Sequence, residues 1–205
     1  MVTGIYQSLM MSLGIVPFYI TDTYFHHKYD PKRDSGKSGR NWLIVGGSLI
    51  VAAVLFLQPV LWPGLSFMTG DWWGAALQLF GLLLFLGATS LNYWSRKHLG
   101  IFYVQGSEVQ KDHQLIDTGP YALVRHPLFT AYFMIVIGLI CCNPSVITLA
   151  LLVGVYFYLN MWMRKDETIL AHNLPGYKAY MTRTNRFVPS PFVFFNSSHK
   201  KKPHR

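Results

Sequence analysis

The chain of 205 residues is 51% hydrophobic and only 13% charged, and it carries a formal net charge of +9. Ordinary soluble domains are roughly 25% charged. The low charged fraction therefore excludes a disordered chain and a protein that binds nucleic acid through a charged tail. Cys141 and Cys142 are neighbours in an apolar stretch and cannot join distant parts of a fold, which excludes a disulfide scaffold. The mean hydropathy of +0.25 instead favours a single domain that spans a membrane several times.

Apolar segments in chain order predict the membrane-spanning helices. These segments are Met1 to Phe25, Trp42 to Trp62, Trp72 to Trp94, Leu128 to Cys142 and Ser145 to Met163. The second and third contain no charged residue, reach about 30 Å as helices and begin and end with tryptophan, as membrane spans do. The first is weaker, because Gly14 to Pro17 predicts a kink and Asp22 lies near its end. We expect an all-α polytopic membrane protein with about five transmembrane helices, the last two in a tight hairpin.

The basic residues lie on alternate sides of these segments. All 18 lysines and arginines fall within Lys28 to Arg40, Arg96 to Arg125 and Arg164 to Arg205. The intervening loops, Pro63 to Asp71 and Asn143-Pro144, contain none. By the positive-inside rule the N-terminus lies outside and the C-terminus in the cytosol. The charge therefore reflects topology, which argues against a nucleic-acid partner and predicts that membrane lipids meet the basic tail.

The spans divide the single membrane domain, residues 1–205, into consecutive parts. Residues 1–94 form three spans, 95–127 a cytosolic connector, 128–163 the hairpin, 164–189 a cytosolic segment and 190–205 a basic tail. The segment 164–189 opens with two bases and two acids, and Leu170 and Leu174 predict that the helix continues as an amphipathic helix along the interface. These two cytosolic stretches border the hairpin, so we expect the functional site there.

The start of the fourth span has two interpretations. Extending the span back to Tyr121 would bring Arg125 and His126 to membrane depth, where ionisable residues usually face a cavity or a partner. Alternatively the helix begins at His126 and Pro127, with Arg125 reaching a lipid phosphate. The acids at 166–167 would face Arg125 and His126 across the hairpin. That arrangement predicts either a pocket for a ligand with an amine and a carboxylate, or a solvated charge cluster that ends a helix.

Motifs in these stretches resemble a known family. Gly119-Pro120-Tyr121 followed by Arg125-His126-Pro127 resembles the G-P-Y-x-x-x-R-H-P signature of the isoprenylcysteine carboxyl methyltransferase family, which also covers related phospholipid methyltransferases. The run from Asp166-Glu167 to Arg186 and Pro189 is similar to the family's C-terminal pattern. The likeness extends over roughly Arg96 to Pro189.

The resemblance implies a membrane-embedded methyltransferase that uses S-adenosyl-L-methionine. Its lipophilic acceptor would arrive from the bilayer, nominally the carboxylate of a prenylated cysteine, with the active site facing the cytosol. Arg125, His126 and Glu167 are expected to position the reactants, Trp162 and Arg164 to bind the substrate, and no metal ion is expected. The implied cofactor-binding residues are His113, Gln114, Leu115, Ile116, Tyr121, His126, Pro127, Leu128, Phe129, Asp166 and Glu167.

Three residues depart from the family pattern. Phe129 replaces a tyrosine, Asp166 replaces a glutamate, and Trp162 stands where prenylcysteine-specific members carry an arginine. Another acceptor therefore stays open, such as a phospholipid amine, an isoprenoid or a small thiol. A dinucleotide-dependent membrane reductase and a non-catalytic membrane protein stay open too, as does the oligomeric state.

Overall fold

The computed structural model describes residues 2–29, 42–67, 71–102 and 114–189, with the backbone alone for 42–49. Within these ranges the regular elements are helical, which confirms the all-α class. The α-helices are α1 Ile5–Tyr29, α2 Trp42–Leu61, α3 Trp72–Leu99, α4 Pro120–Leu123, α5 Pro127–Cys142, α6 Val146–Asn173 and α7 Tyr177–Arg183. Short 3₁₀ turns at Pro63–Leu65 and Gly100–Phe102 follow α2 and α3.

Two segments of the described chain are long and apolar enough to cross a membrane. They are Trp72–Phe102 and Val146–Asn173, while Ile50–Leu61 and Pro127–Cys142 are apolar but shorter. Large hydrophobic side chains lie exposed along these helices, including Leu86 and Phe157, as a lipid-facing surface requires. The number of membrane crossings and the orientation stay predictions.

The core is formed where α3 packs between α1 and α5. A Cβ atom on Gly81 of α3 would lie 2.9 Å from the carbonyl oxygen of Gly138 on α5. A Cβ atom on Gly14 of α1 would overlap the ring of Phe85 on α3. Glycine at these positions lets the backbones approach closely, as in membrane helix pairs. α1 itself continues through Pro17 without a break.

Polar side chains join several helix ends at the end of the bundle away from the connector. Gln58, at the end of α2, donates to the Ser66 hydroxyl at 3.1 Å, and Ser66 donates to the Asn143 side chain at 2.7 Å. Gln7, near the start of α1, donates to the carbonyl of Cys142 at 2.8 Å. The start of α1, the end of α2 and the α5–α6 turn therefore lie together.

The structure refines two predicted boundaries. α5 does not extend back to Tyr121, because α4 is a separate turn and His126 occupies the N-cap position before Pro127. The helix therefore begins at His126 and Pro127, as the second interpretation has it. The expectation that Arg125 reaches a lipid phosphate is wrong, because its side chain is buried and pairs with Glu167. The expected C-terminal amphipathic helix is continuous with α6 as far as Asn173, and Gly176 with φ of 81° turns the chain into α7.

Candidate functional site

Glu167, in the polar C-terminal part of α6, lies at the centre of a buried group of charges. Its Oε1 atom lies 2.9 Å from Arg125 Nη2 and 3.2 Å from His126 Nε2. Its Oε2 atom lies 2.7 Å from Arg186 Nη2. The Glu167 side chain is 5% exposed and that of Arg125 is 8% exposed. We refer to Arg125, His126, Glu167 and Arg186 as the Glu167 cluster.

Backbone pairing brings the members of this cluster together. The amide of Arg125 donates to the carbonyl of Asn185 at 2.8 Å, and the amide of His126 donates to the carbonyl of Arg186 at 3.1 Å. Arg125 Nη1 also donates to the carbonyls of Met181 and Thr184, each at 2.6 Å. The guanidinium thereby satisfies carbonyl groups at the end of α7. The residues after α7 are held along the start of α5.

The surroundings of Glu167 keep it ionised. Burial on its own raises the pKa of a carboxyl group, but hydrogen bonds from His126, Arg186 and Arg125 outweigh burial and lower the pKa of Glu167 to about 2. Two guanidinium groups against one carboxylate leave Arg125, Glu167 and Arg186 together with one net positive charge. Arg186 is the accessible cation, since its side chain is 42% exposed.

The connector and the C-terminal segment meet beside this cluster. Leu115 of the connector packs against the buried side chains of Leu174, Tyr177 and Tyr180. The Tyr180 hydroxyl donates to the carbonyl of Tyr121 at 2.6 Å. Burial raises the pKa of Tyr177 and Tyr180 above its ordinary value, so both hydroxyls stay protonated. The two cytosolic stretches predicted to border the hairpin are therefore in contact.

The structure gathers part of the predicted cofactor set around the start of α5. The Phe129 ring stacks on His126 with centroids 5.3 Å apart and planes within 9°. Tyr121 is buried, Asp166 is half-buried next to Glu167, and Gln114 is exposed. The remaining members of the set are Ile116 and Leu128, which are half-buried, and Pro127, which is buried. His113 lies outside the described residues.

The two predicted substrate residues have different surroundings. The Trp162 ring has the Lys165 amino group 5.3 Å from its centroid and the Tyr158 ring 6.1 Å away. Its indole N–H is buried and has no hydrogen-bond partner among the described residues. Arg164 is exposed, and the structure does not bring it into the Glu167 cluster.

Arg186 is a site residue to which the sequence analysis gave no role. The sequence feature that could have identified Arg186 is its position in the run that resembles the family's C-terminal pattern. Its contact with Glu167 depends on the chain folding back along α5, which no local motif indicates. Among the described residues, no group of three or more His, Cys, Asp or Glu side chains is placed to hold a metal ion.

Comparisons with known proteins agree with the motif resemblance. Residues 76–174 match the family model described as phospholipid methyltransferase. The chain is 30% identical over 160 residues to the nickel-cobalt-cadmium resistance protein NccN of Alcaligenes xylosoxydans xylosoxydans, covering 77% of this chain and 67% of that protein. It is 28% identical over 149 residues to the cobalt-zinc-cadmium resistance protein CzcN of Cupriavidus metallidurans, covering 72% of this chain and 62% of that protein. The matched region contains Arg125, His126 and Glu167, whereas Arg186 lies beyond it.

Proposed function

Because the chain belongs to the phospholipid methyltransferase family, which is related to the isoprenylcysteine carboxyl methyltransferases, we propose that it transfers a methyl group from S-adenosyl-L-methionine to a lipophilic acceptor in the bilayer. The observation that supports this most directly is the Glu167 cluster. It joins the Arg125-His126-Pro127 motif, the acid of α6 and the C-terminal segment into one buried polar site.

The residues of this site have the chemistry that the cofactor requires. The methionine part of the cofactor carries a carboxylate and an amine. The accessible guanidinium of Arg186 would bind the carboxylate, and Asp166 would bind the amine. The stacked pair of Phe129 and His126 would lie near the charged sulfur, where an aromatic face favours a cation. Leu115 would line the adenosine end.

When bound, the cofactor supplies a methyl group on a positively charged sulfur. The task of the protein is then to align the acceptor and to exclude water, with little acid–base chemistry. Arg125 and Glu167 perform the alignment indirectly, because they fix the residues after α7 against the start of α5. The hydrogen bond that His126 Nε2 donates to the Glu167 carboxylate holds the imidazole in one orientation.

The prenylcysteine carboxylate remains the nominal acceptor. Prenylcysteine-specific members carry an arginine at the position of Trp162, and this chain offers none there. Arg164 is two residues further on, about 200° around a helix, and it is exposed. Assays with a prenylcysteine carboxylate as the acceptor should therefore include a phospholipid amine, which carries the opposite charge, as a second acceptor.

Calorimetric titration of the purified full chain in detergent with S-adenosylmethionine and S-adenosylhomocysteine tests the cofactor. We expect His126→Ala and Glu167→Gln to weaken binding about tenfold or more, as losing a hydrogen bond to a charged group does. His172→Ala is the matched control, since His172 is exposed on the same helix as Glu167 and should bind as the wild type does. A folded wild-type protein that binds neither compound would contradict the proposal.

A further inference from the structure

A groove of about 500 Å³ runs along one face of α1. Its lining residues follow one another at spacings of three and four and therefore share one face of the helix. On the opposite face, Phe18 contacts the Tyr132 ring of α5 and Phe25 contacts the Tyr93 ring of α3. The groove therefore opens away from α3 and α5. The described residues that line it are Tyr19, Ile20, Thr23, Tyr24, His27 and Lys28.

The groove is apolar along its length and basic at one end. Tyr19, Ile20 and Tyr24 are 62%, 61% and 54% exposed, so their surfaces are accessible from outside the bundle. Lys28 lies in the last turn of α1. Its amino group lies 5.7 Å from the centre of the Tyr24 ring and 5.2 Å from that of Tyr29. Both rings attract the ammonium group and hold it at the end of the groove.

The positive charge at this end is available to an anion. Asp22, the one acidic residue of α1, pairs with Arg96 on the side of the helix that faces α3. Glu167 pairs within its own cluster, and neither of these ion pairs includes Lys28. In the sequence, residues 28–40 carry five basic and two acidic side chains. This end of α1 therefore has a net positive charge beside an exposed apolar face.

A phospholipid with a net negative charge matches both parts of the groove. Its acyl chain fits an exposed apolar and aromatic helix face, and its phosphate fits a lysine held at the end of that face. A small water-soluble anion would match the lysine alone. Anionic lipids are concentrated in the cytoplasmic leaflet, and Lys28 lies at the end of the bundle from which the basic segments emerge. Position and charge therefore favour the same ligand.

We propose that the groove on α1 binds an anionic phospholipid, with the phosphate at Lys28 and an acyl chain along Ile20 and Tyr24. A glycerol head group leaves the charge of the phosphate uncompensated, whereas a choline head group adds a cation that Lys28 repels. The groove opens away from α5, so a lipid bound there does not reach the Glu167 cluster. This lipid is a bound partner and not the methyl acceptor, and the inference does not depend on the proposed function.

Competition between two lipids tests the inference. The full chain in detergent is mixed with equal amounts of dioleoylphosphatidylglycerol and dioleoylphosphatidylcholine, and native mass spectrometry measures the ratio of the two lipids retained. We expect Lys28→Gln to lower this ratio about fivefold, the effect of one lysine near an anionic lipid surface. Lys28→Arg should keep the ratio of the wild type. Lys28 is exposed, so both variants should fold.

A matched charge change separates this site from the general attraction of a basic protein for anionic lipid. Lys178→Gln removes the same charge at an exposed position of α7 and should leave the ratio unchanged. An equal fall in Lys28→Gln and Lys178→Gln would overturn the inference, because the lipid would then respond only to total charge. A ratio that Lys28→Gln does not change would also overturn it.

A bulky substitution tests the apolar part of the groove without changing charge. Thr23→Trp would fill the groove between Ile20 and His27, and we expect it to reduce the retained phosphatidylglycerol. Leu86→Trp is the control, because Leu86 is exposed on α3 and lies outside the groove. Equal retention of phosphatidylglycerol by Thr23→Trp and Leu86→Trp would contradict the assigned position of the acyl chain. If Thr23→Trp does not fold, the comparison of Lys28→Gln with Lys178→Gln decides.

Discussion

Glu167 keeps its negative charge in a buried position because Arg125, Arg186 and His126 all donate hydrogen bonds to it. A buried carboxylate with this many partners holds separate parts of the chain in a fixed arrangement. Removing one partner would leave an uncompensated charge, which costs more than the pair itself contributes. The cluster therefore links the stability of the fold to the geometry of the proposed site.

Acidification should destabilise the protein through Glu167. Folding lowers the pKa of this carboxyl group from 4.5 to about 2, so the folded state favours the ionised form. The resulting contribution, on the order of 3 kcal/mol, is complete above pH 4.5 and is lost as the pH falls towards 2. Thermal unfolding in detergent between pH 7 and pH 3 measures it. The Glu167→Gln variant should be less stable than the wild type at pH 7 and should lose less stability on acidification. If the stability of both proteins falls equally with pH, Glu167 is not the cause.

Tyr180→Phe should loosen the contact between α7 and the connector. The substitution removes the buried hydrogen bond to the Tyr121 carbonyl and leaves that carbonyl without this donor. We expect a loss of about 1–2 kcal/mol in the free energy of unfolding and weaker cofactor binding. Tyr158→Phe is the control, because Tyr158 is exposed on α6. Equal stability of the two variants in denaturant titration would count against the contact.

The sequence indicated some site residues and not others for a physical reason. Arg125, His126 and Glu167 lie in short motifs at the ends of apolar segments, so their proximity follows from the helices alone. The contact between Arg186 and Glu167 requires the chain to fold back after α7. The Asp22–Arg96 pair spans 74 residues and depends on how α1 packs against α3, which residue spacing does not determine.

At the level of helices, the length of an apolar segment predicted that a helix is present. It did not predict the residues at which the helix begins and ends as well. α3 continues past Trp94 to Leu99 because Ser95 and Arg96 find partners within the bundle. α6 continues past Met163 because Glu167 is neutralised by the guanidinium groups around it. In both helices charged residues mark the end of the apolar segment and not the end of the helix.

The close approach of α3 and α5 predicts a strong effect of one added methyl group. In Gly81→Ala the new Cβ would lie 2.9 Å from the backbone carbonyl oxygen of Gly138, and backbone cannot move aside as a side chain can. We expect a loss of about 1–3 kcal/mol. Gly154→Ala on α6 is the control, since nothing lies within 4 Å of its Cβ position and alanine favours the helix. If Gly81→Ala and Gly154→Ala change the melting temperature equally, the helices are not tightly packed at Gly81.

At the scale of the whole molecule, a network of amide side chains and two groups of ion pairs lie at different ends of the bundle, among the described residues. The amide network of Gln7, Gln58 and Asn143 lies at one end. The ion pairs of Asp22 and Glu167 lie towards the other end, where the basic segments emerge. This difference between the two ends follows from the order of the helices. The positive-inside rule then predicts that the end with the ion pairs faces the cytosol. The cytosolic location of the proposed site depends on that orientation.

Cysteine labelling in intact cells tests the orientation directly. Cys141 and Cys142 are both buried and are first replaced by alanine, after which Gly64→Cys and Lys178→Cys are introduced singly at exposed positions. Gly64 lies in the loop without basic residues and Lys178 lies in α7. A membrane-impermeant maleimide added outside should therefore label position 64 and spare position 178, and permeabilised cells should label both. The reverse pattern would place the Glu167 cluster outside the cytosol, away from a cytosolic supply of S-adenosylmethionine, and would contradict both the predicted topology and the proposed use of this cofactor.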